Sequence, residues 1–387
     1  MFRPYYFRWI FFVCLVVGLT AGGLVLYRRA SIVTVAVGPA GAPQVAFVQE
    51  IEKALRLAHE RFRFRIVITG GSADSAALLT AGKADIAVLR SDYEGETNAR
   101  SVVILQRRTF LAVARKQLPK KANSGAGAKS PDDGAAQGKP KDEDDAAETG
   151  ILDLLGKVKG VIVQRRRSRD EPTIREILAF FNRGKDAEGL AVRGLNEAKE
   201  DFVRGRADLV LFLGNPAEDA TRDLINATRR AAGARFMLLG APVPAGLAQY
   251  IRTVENSTIT AGVFGGSPPL PSKDLLSVAV TFDVVASARA NERRIAGLAK
   301  ALDGIRNQFT GMDSSEFGIA LPSLEETRRF LPHIGTVAQI NGESKGILDE
   351  YSDAIWLGLF ALGGIGSLLS GLMAWLGFGS STRKIET

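Results

Sequence analysis

Ile32–Asp92 reads IVTVAVGPAGAPQVAFVQEIEKALRLAHERFRFRIVITGGSADSAALLTAGKADIAVLRSD. Val33, Val35 and Val37 alternate with smaller or polar residues, and Gly38-Pro39-Ala40-Gly41-Ala42-Pro43 then breaks the strand. Phe47, Val48, Ile51, Ala54, Leu55 and Ala58 recur at three- and four-residue spacing, which predicts a helix with one apolar face. A β-branched run, Arg65–Thr69, ends at Gly70-Gly71-Ser72. Ser72 is the expected N-cap of a helix over Ala73–Ala81, and Gly82 its C′ residue. Ile86–Leu89 is a continuous apolar strand that stops at Ser91-Asp92. Strands alternating with helices imply a parallel sheet covered on both faces. Ligands of such sheets sit beyond the carboxyl ends of the strands, against helix N-termini. Gly38–Ala42, Gly70–Ser72 and Arg90–Asp92 are three such ends, and together they predict half of a binding cleft.

The pattern returns further along. Val161–Val163, Leu190–Val192 and Asp208–Leu213 read as strands, and the segments from Pro172 to Asn182 and Asn196 to Val203 as helices. Thr80-Ala81-Gly82-Lys83-Ala84-Asp85-Ile86 is echoed by Val203-Arg204-Gly205-Arg206-Ala207-Asp208-Leu209. In both, a helix ends on glycine, a basic residue follows, and Ala-Asp opens an apolar strand, so two similar lobes are expected. Val102–Leu105 and Phe110–Ala114 are expected as two short strands leaving the first lobe. Leu275–Val285 is a long apolar strand suited to the return crossing. Between the lobes, Lys116–Gly150 holds almost no large apolar side chains and cannot bury enough surface to order itself.

The chain of 387 residues has a formal net charge of +8, which admits nucleic acid, acidic lipid or an anionic ligand as partner. Its basic residues are dispersed without interleaved aromatic side chains, which disfavours nucleic acid. The single cysteine, Cys14, gives neither a disulfide nor a cysteine metal site. His59 and His333 are far apart in sequence, and no nucleophile–base or metal constellation accompanies them. The expectation is a protein that is not an enzyme and carries no cofactor.

Trp9–Tyr27 is nineteen residues without a charge, flanked by Arg3, Arg8, Arg28 and Arg29. It is long enough to span a bilayer. Ala21-Gly22-Gly23 would serve as a signal cleavage site, but Leu24-Val25-Leu26 carries the apolar run past it, which favours an uncleaved anchor. Ile355–Phe378 is a second uncharged run, of twenty-four residues, followed by Arg383 and Lys384. Those two cations place the C-terminus in the cytoplasm and the central part outside. The expected organisation is an anchor over 1–30, lobe one over 31–115, an insertion over 116–150, lobe two over 151–274, a return to lobe one and a tail over 275–354, a transmembrane helix over 355–378 and a cytoplasmic tail over 379–387.

From Ile32 to Ser344 the chain resembles the TAXI family of solute-binding proteins of TRAP transporters. The resemblance is carried by Val35-Ala36-Val37-Gly38-Pro39-Ala40-Gly41, Gly70-Gly71-Ser72, Gly82-Lys83-Ala84-Asp85-Ile86-Ala87 with Ser91-Asp92, and Leu154-Leu155-Gly156-Lys157. Gly205-Arg206-Ala207-Asp208, Gly214-Asn215-Pro216 and Pro332-His333-Ile334-Gly335 also match. It implies an α/β, type II periplasmic-binding-protein fold, here with N- and C-terminal transmembrane helices: a membrane-anchored branch of the family. Two departures stand out: Ala42-Pro43-Gln44 in the first loop, and Gln164-Arg165-Arg166-Arg167-Ser168-Arg169 where the family has a small Gly/Ser loop. The ligand of other members therefore does not transfer.

The expected ligand-binding residues are Pro39, Ala40, Gly41, Gly71 and Ser72 at helix N-termini, Ser91 and Asp92 at a strand end, Arg165 and Arg167 in the basic loop, and Asn215 on the opposite wall. Backbone N–H groups at helix starts favour carboxylate or phosphate, and an arginine can clamp such a group at two points. Asp85 and Asp208 are expected to be structural. The function expected is a membrane-tethered receptor in the bacterial periplasm that closes on a small anionic organic solute. It would deliver that solute to a TRAP-type permease or signal occupancy. The alternative is a non-binding scaffold or assembly protein that keeps the same fold.

Overall fold

The computed structural model describes residues 30–116, 150–165, 168–309, 317–324 and 328–343. The two apolar runs, nearly all of the insertion, and Arg167 lie outside the described residues. Among the described residues no helix is long and apolar enough to cross a membrane. Two units partition the chain, Met1–Val337 and Ala338–Thr387, and the sheet and cleft belong to the first.

The elements of lobe one are β1 (Ser31–Val37), α1 (Pro43–Leu57), β2 (Phe62–Ile68), α2 (Ser72–Thr80), β3 (Ile86–Arg90) and β4 (Ala99–Arg115). Lobe two holds β5 (Gly160–Val163), α3 (Asp170–Phe180), α4 (Gly184–Glu188), β6 (Ala191–Arg193), α5 (Leu195–Val203), β7 (Leu209–Gly214), α6 (Asp219–Ala232), β8 (Phe236–Leu239), α7 (Pro244–Tyr250) and β9 (Glu255–Ile259). The chain returns through β10 (Leu275–Ser287), α8 (Glu292–Ile305) and α9 (Ile334–Ile340).

One ten-stranded sheet runs through both lobes in the order β2-β1-β3-β10-β4-β7-β5-β6, with β8 beside β4 and β9 beside β10. β1 pairs in parallel with β2 and β3, and β5 with β6 and β7. β10 and β4 are antiparallel to their neighbours and to each other. The two lobes thus repeat one design, parallel strands closed by an antiparallel crossing strand, and the two crossing strands join them.

Each lobe buries apolar side chains on both sheet faces. In lobe one, Val33, Val35, Phe47, Ile51 and Leu298 form one layer, and Ala76, Leu79, Ala87 and Leu89 the other. In lobe two the layers are Ile162, Ile174, Leu211 and Leu247 on one side, and Val210, Phe212, Phe202 and Leu224 on the other. Gly82 and Gly205, the matching positions of the sequence echo, have φ of +66° and +70°. Both therefore end their helices in the left-handed region that glycine enters without strain. Asp85 accepts from the Thr34 amide at 2.7 Å and from Arg294 at 2.9 Å, and Asp208 pairs with Arg115 at 2.9 Å, so both acids are structural.

Two local expectations are corrected. Val102–Leu105 and Phe110–Ala114 belong to a single seventeen-residue strand, β4, because Arg107 and Arg108 continue it and point to opposite sides of the sheet. Ser72 is the first helical residue of α2 rather than its cap; Gly71 holds the cap position, and the Ser72 hydroxyl instead accepts from the Arg90 amide at 3.3 Å.

Gly240 follows β8 where the backbone passes β10. A Cβ there would lie 2.1 Å from the Leu276 carbonyl oxygen. Backbone cannot yield as a side chain does, so Gly240→Ala is expected to cost about 1–3 kcal/mol. A fall in thermal midpoint checks this, and an unchanged midpoint contradicts it.

Candidate functional site

The carboxyl ends of the lobe-one strands and the starts of the lobe-two helices face each other across a cavity of about 880 Å³. Lobe one contributes the loops Gly38–Gln44 and Gly70–Asp74, with Arg90 and the stretch Asp92–Gly95. Lobe two contributes Arg165, Ser168, Arg169 and Glu218, and the crossing strands contribute Arg108 and Phe282.

On the floor, three neighbouring strands place Arg90, Phe282 and Arg108 in a row. The Arg90 guanidinium lies 5.6 Å and that of Arg108 5.5 Å from the Phe282 ring centroid. All three residues are at most 7% exposed. Cations against an aromatic face are stabilised by its quadrupole, more so when desolvated.

The side chains around this floor are largely satisfied by one another. Arg90 Nη2 donates to Asp170 at 2.7 Å and Nη1 to the Ser168 hydroxyl at 2.6 Å, both in lobe two, while its Nε lies 3.0 Å from Asp92. The Thr173 hydroxyl donates to Asp92 at 2.7 Å, and Arg169 pairs with Glu94. Lobe one is therefore tied to the start of α3 by several polar contacts. Burial pushes the Asp92 carboxyl above its ordinary pKa, against the pull of Arg90 and the Thr173 hydroxyl. Burial also raises Glu176, on α3, with the charges of Asp92 and Glu94 adding to it.

Pro39, Ala40, Gly41, Gly71, Ser72, Asp92 and Arg165 line the cavity. Ser91 does not: it is buried, its hydroxyl donating to the Thr253 carbonyl at 2.6 Å and accepting from the Thr281 amide at 3.1 Å. Successive strand residues point to opposite faces, so with Arg90 turned into the cleft Ser91 turns away. Asn215 does not line it either; its carboxamide oxygen accepts from the Ala217 amide at 2.9 Å and shapes the turn into α6. Arg165 is a two-point clamp, but the carboxylate it clamps is Glu218, with Nη2 to Oε2 at 2.7 Å. Burial acts to raise the Glu218 carboxyl, yet the hydrogen bonds and charge of Arg165, the Thr221 hydroxyl and the charge of Arg108 outweigh it and hold it lowered.

The expected backbone donors are partly used as well. The Gly70 amide donates to Asp74 at 2.9 Å, and the Ala42 amide to the Pro39 carbonyl at 3.0 Å. Neither α1 nor α2 carries a side-chain cap, so the starts of both helices open toward the cavity. Arg108, Glu218 and Phe282 escaped the sequence reading, and Arg90 entered it as the start of a cleft-forming strand end but not as a ligand-binding residue. The signal for the two arginines was a charge inside an otherwise apolar strand, which needs a buried partner.

No group of three or more His, Cys, Asp or Glu among the described residues is placed to hold a metal ion. No family model matches the chain, and no curated protein matches it. Among solved structures, the chain is similar to a TctC solute-binding protein from Polaromonas at 11% identity and a TM-score of 0.45, covering 75% of this chain and 90% of that one. It is also similar to a histidine kinase sensor domain with similarity to periplasmic binding proteins, at 12% identity and a TM-score of 0.33, covering 73% and 97%. The GluR0 ligand-binding core from Nostoc punctiforme, in complex with glutamate, aligns at 12% identity and a TM-score of 0.32, covering 71% and 93%. At these scores the likenesses carry neither ligand nor partner over to this chain.

Proposed function

We propose that this chain is a receptor for a small anionic organic solute, which it holds between its two lobes. The observation that carries the reading is the interlobe cavity with Arg108 and Phe282 on its floor and two uncapped helix starts on its wall. A carboxylate there would meet a desolvated guanidinium and helix N-termini together, and the apolar remainder would rest on the Phe282 ring. Closure would follow from a ligand that touches both lobes and so stabilises the closed arrangement over the open one. In this reading Trp9–Tyr27 and Ile355–Phe378 are membrane spans of a bacterial inner membrane, and the lobes face the periplasm. The resemblance to TAXI proteins makes a TRAP-type permease the first partner to seek, with signalling of occupancy as the other output.

A second reading is favoured by a specific observation. The polar contacts from Arg90, Asp92 and Glu94 to α3 and its N-terminal flank join the lobes through the protein's own side chains. Such a cleft suits a scaffold that keeps the fold and binds nothing. A thermal-shift panel of carboxylates on the full-length chain in detergent separates the two, because a ligand raises the midpoint in proportion to its occupancy. Arg108→Gln should weaken the responding carboxylate by about tenfold or more, since a charged hydrogen bond is worth roughly 1.5–3 kcal/mol. A broad panel with no response favours the scaffold.

A further inference from the structure

We infer that Arg90 and Asp170 form a lock that holds the two lobes together, so that the cleft opens only when this buried pair parts. Arg90 is the last residue of β3, and its backbone lies opposite Phe282, where β10 leaves β3 on its way to lobe two. Between Phe282 and Asp283 the pairing of β10 with β4 slips in register, an irregularity of the kind at which strands bend. Arg90 thus stands beside the hinge. Its guanidinium reaches into lobe two, with Nη2 on Asp170 at 2.7 Å and Nη1 on the Ser168 hydroxyl at 2.6 Å.

Both partners are held ready for this contact. On the lobe-one side, Asp92 lies 3.0 Å from the Arg90 Nε and the Phe282 ring 5.6 Å from the guanidinium. On the lobe-two side, the Ser168 hydroxyl donates to Asp170, and the Arg165 Nε stands 4.0 Å from its second oxygen. Side chains already fixed lose little freedom when they meet. The two side chains are 7% and 1% exposed, so water competes poorly for their charge-assisted hydrogen bonds. The Thr173 hydroxyl, on Asp92 at 2.7 Å, is a second buried tie between the lobes. The third, Arg169 with Glu94, is exposed and contributes little. A solute that touches both lobes adds to this hold rather than creating it. The lock works alike in a receptor and in a scaffold, so it does not rest on the receptor reading.

A distance between the lobes tests this. In the full-length chain in detergent, Cys14→Ser removes the native thiol, and Ala77→Cys on α2 with Ala220→Cys on α6, both exposed positions, take spin labels. Pulsed electron spin resonance should give one narrow distance while the lock is intact. Asp170→Asn with Thr173→Val should lower the ratio of closed to open protein by about tenfold or more and bring in a second distance. Ser168→Ala with Thr173→Val, which leaves both ions in place, should act in the same direction and decides the matter if the first variant does not fold. Glu94→Gln should leave the distribution unchanged. Two distances in the protein with its lock intact overturn the inference, and need no lock variant to fold. A distance unmoved in the folded lock variants overturns it too, as does a change from Glu94→Gln as large as theirs.

Discussion

Arg328→Met is expected to destabilise the protein by about 3–5 kcal/mol, the cost of stranding a buried charge. Behind the crossing strands, on the side of the sheet away from the cleft, Arg328 reaches Asp283 at 3.1 Å and Glu255 at 3.4 Å. The three side chains are at most 3% exposed. Asp283 also accepts from the hydroxyls of Ser101 and Thr281, each at 2.6 Å, and Arg107 approaches Glu255 at 3.3 Å. Methionine fills the volume of arginine but brings no charge, so Asp283 keeps its desolvation and loses its cation. Chemical denaturation followed by circular dichroism measures the effect. Arg306→Met, which removes an exposed cation paired with Asp303, is the control and should shift stability by less than about 1 kcal/mol. Equal effects for the two variants would mean that the cluster supports nothing.

The same cluster gives stability a pH dependence. Burial raises the Glu255 carboxyl from its ordinary 4.5 to about 7; Arg328 and Arg107 pull it back only in part, and Asp283 pushes it further up. Below pH 4.5 the carboxyl is protonated in both folded and unfolded chains. Between 4.5 and 7 the unfolded chain has released the proton while the folded chain still holds it. Stability contributed by this group is therefore full at the acid end and lost as pH rises through 7. The loss is about 3 kcal/mol at 1.36 kcal/mol per pKa unit. Glu255→Gln does not titrate, so its stability relative to the wild type should grow by that order between about pH 5 and pH 8. Parallel stability curves for the two proteins across that range would refute the assignment.

Local pattern carried the βαβ units because their causes are local. The valines of β1, the glycine at Gly82 and the apolar face of α1 each announce themselves within one turn or one strand. The long strand β10 was equally plain, since a run from Leu275 to Val285 broken only by Ser277, Thr281 and Asp283 has nowhere to go but the centre of a sheet. The floor of the cleft was hidden for the opposite reason. Arg90 meets Asp170 across 80 residues of chain, Arg165 meets Glu218 across 53, and Arg107 meets Glu255 across 148. Nothing near Arg165 in sequence says that its guanidinium is already engaged, so a basic loop read as an anion clamp. The same blindness split β4 in two: Arg107 and Arg108 look like a solvated turn until their separate partners on the two faces are known.

The place of β10 between β3 and β4 has a consequence for synthesis. Both neighbours leave the ribosome long before Leu275, and until it arrives each offers a bare row of backbone donors and acceptors to any strand that passes. Lobe two can assemble β5, β6 and β7 from contiguous chain in the meantime, whereas lobe one must wait for its keystone. A nascent chain of this kind is expected to need shielding of those open margins while it is being made, and the closing insertion, which pairs residues nearly two hundred positions apart, is expected to be slow.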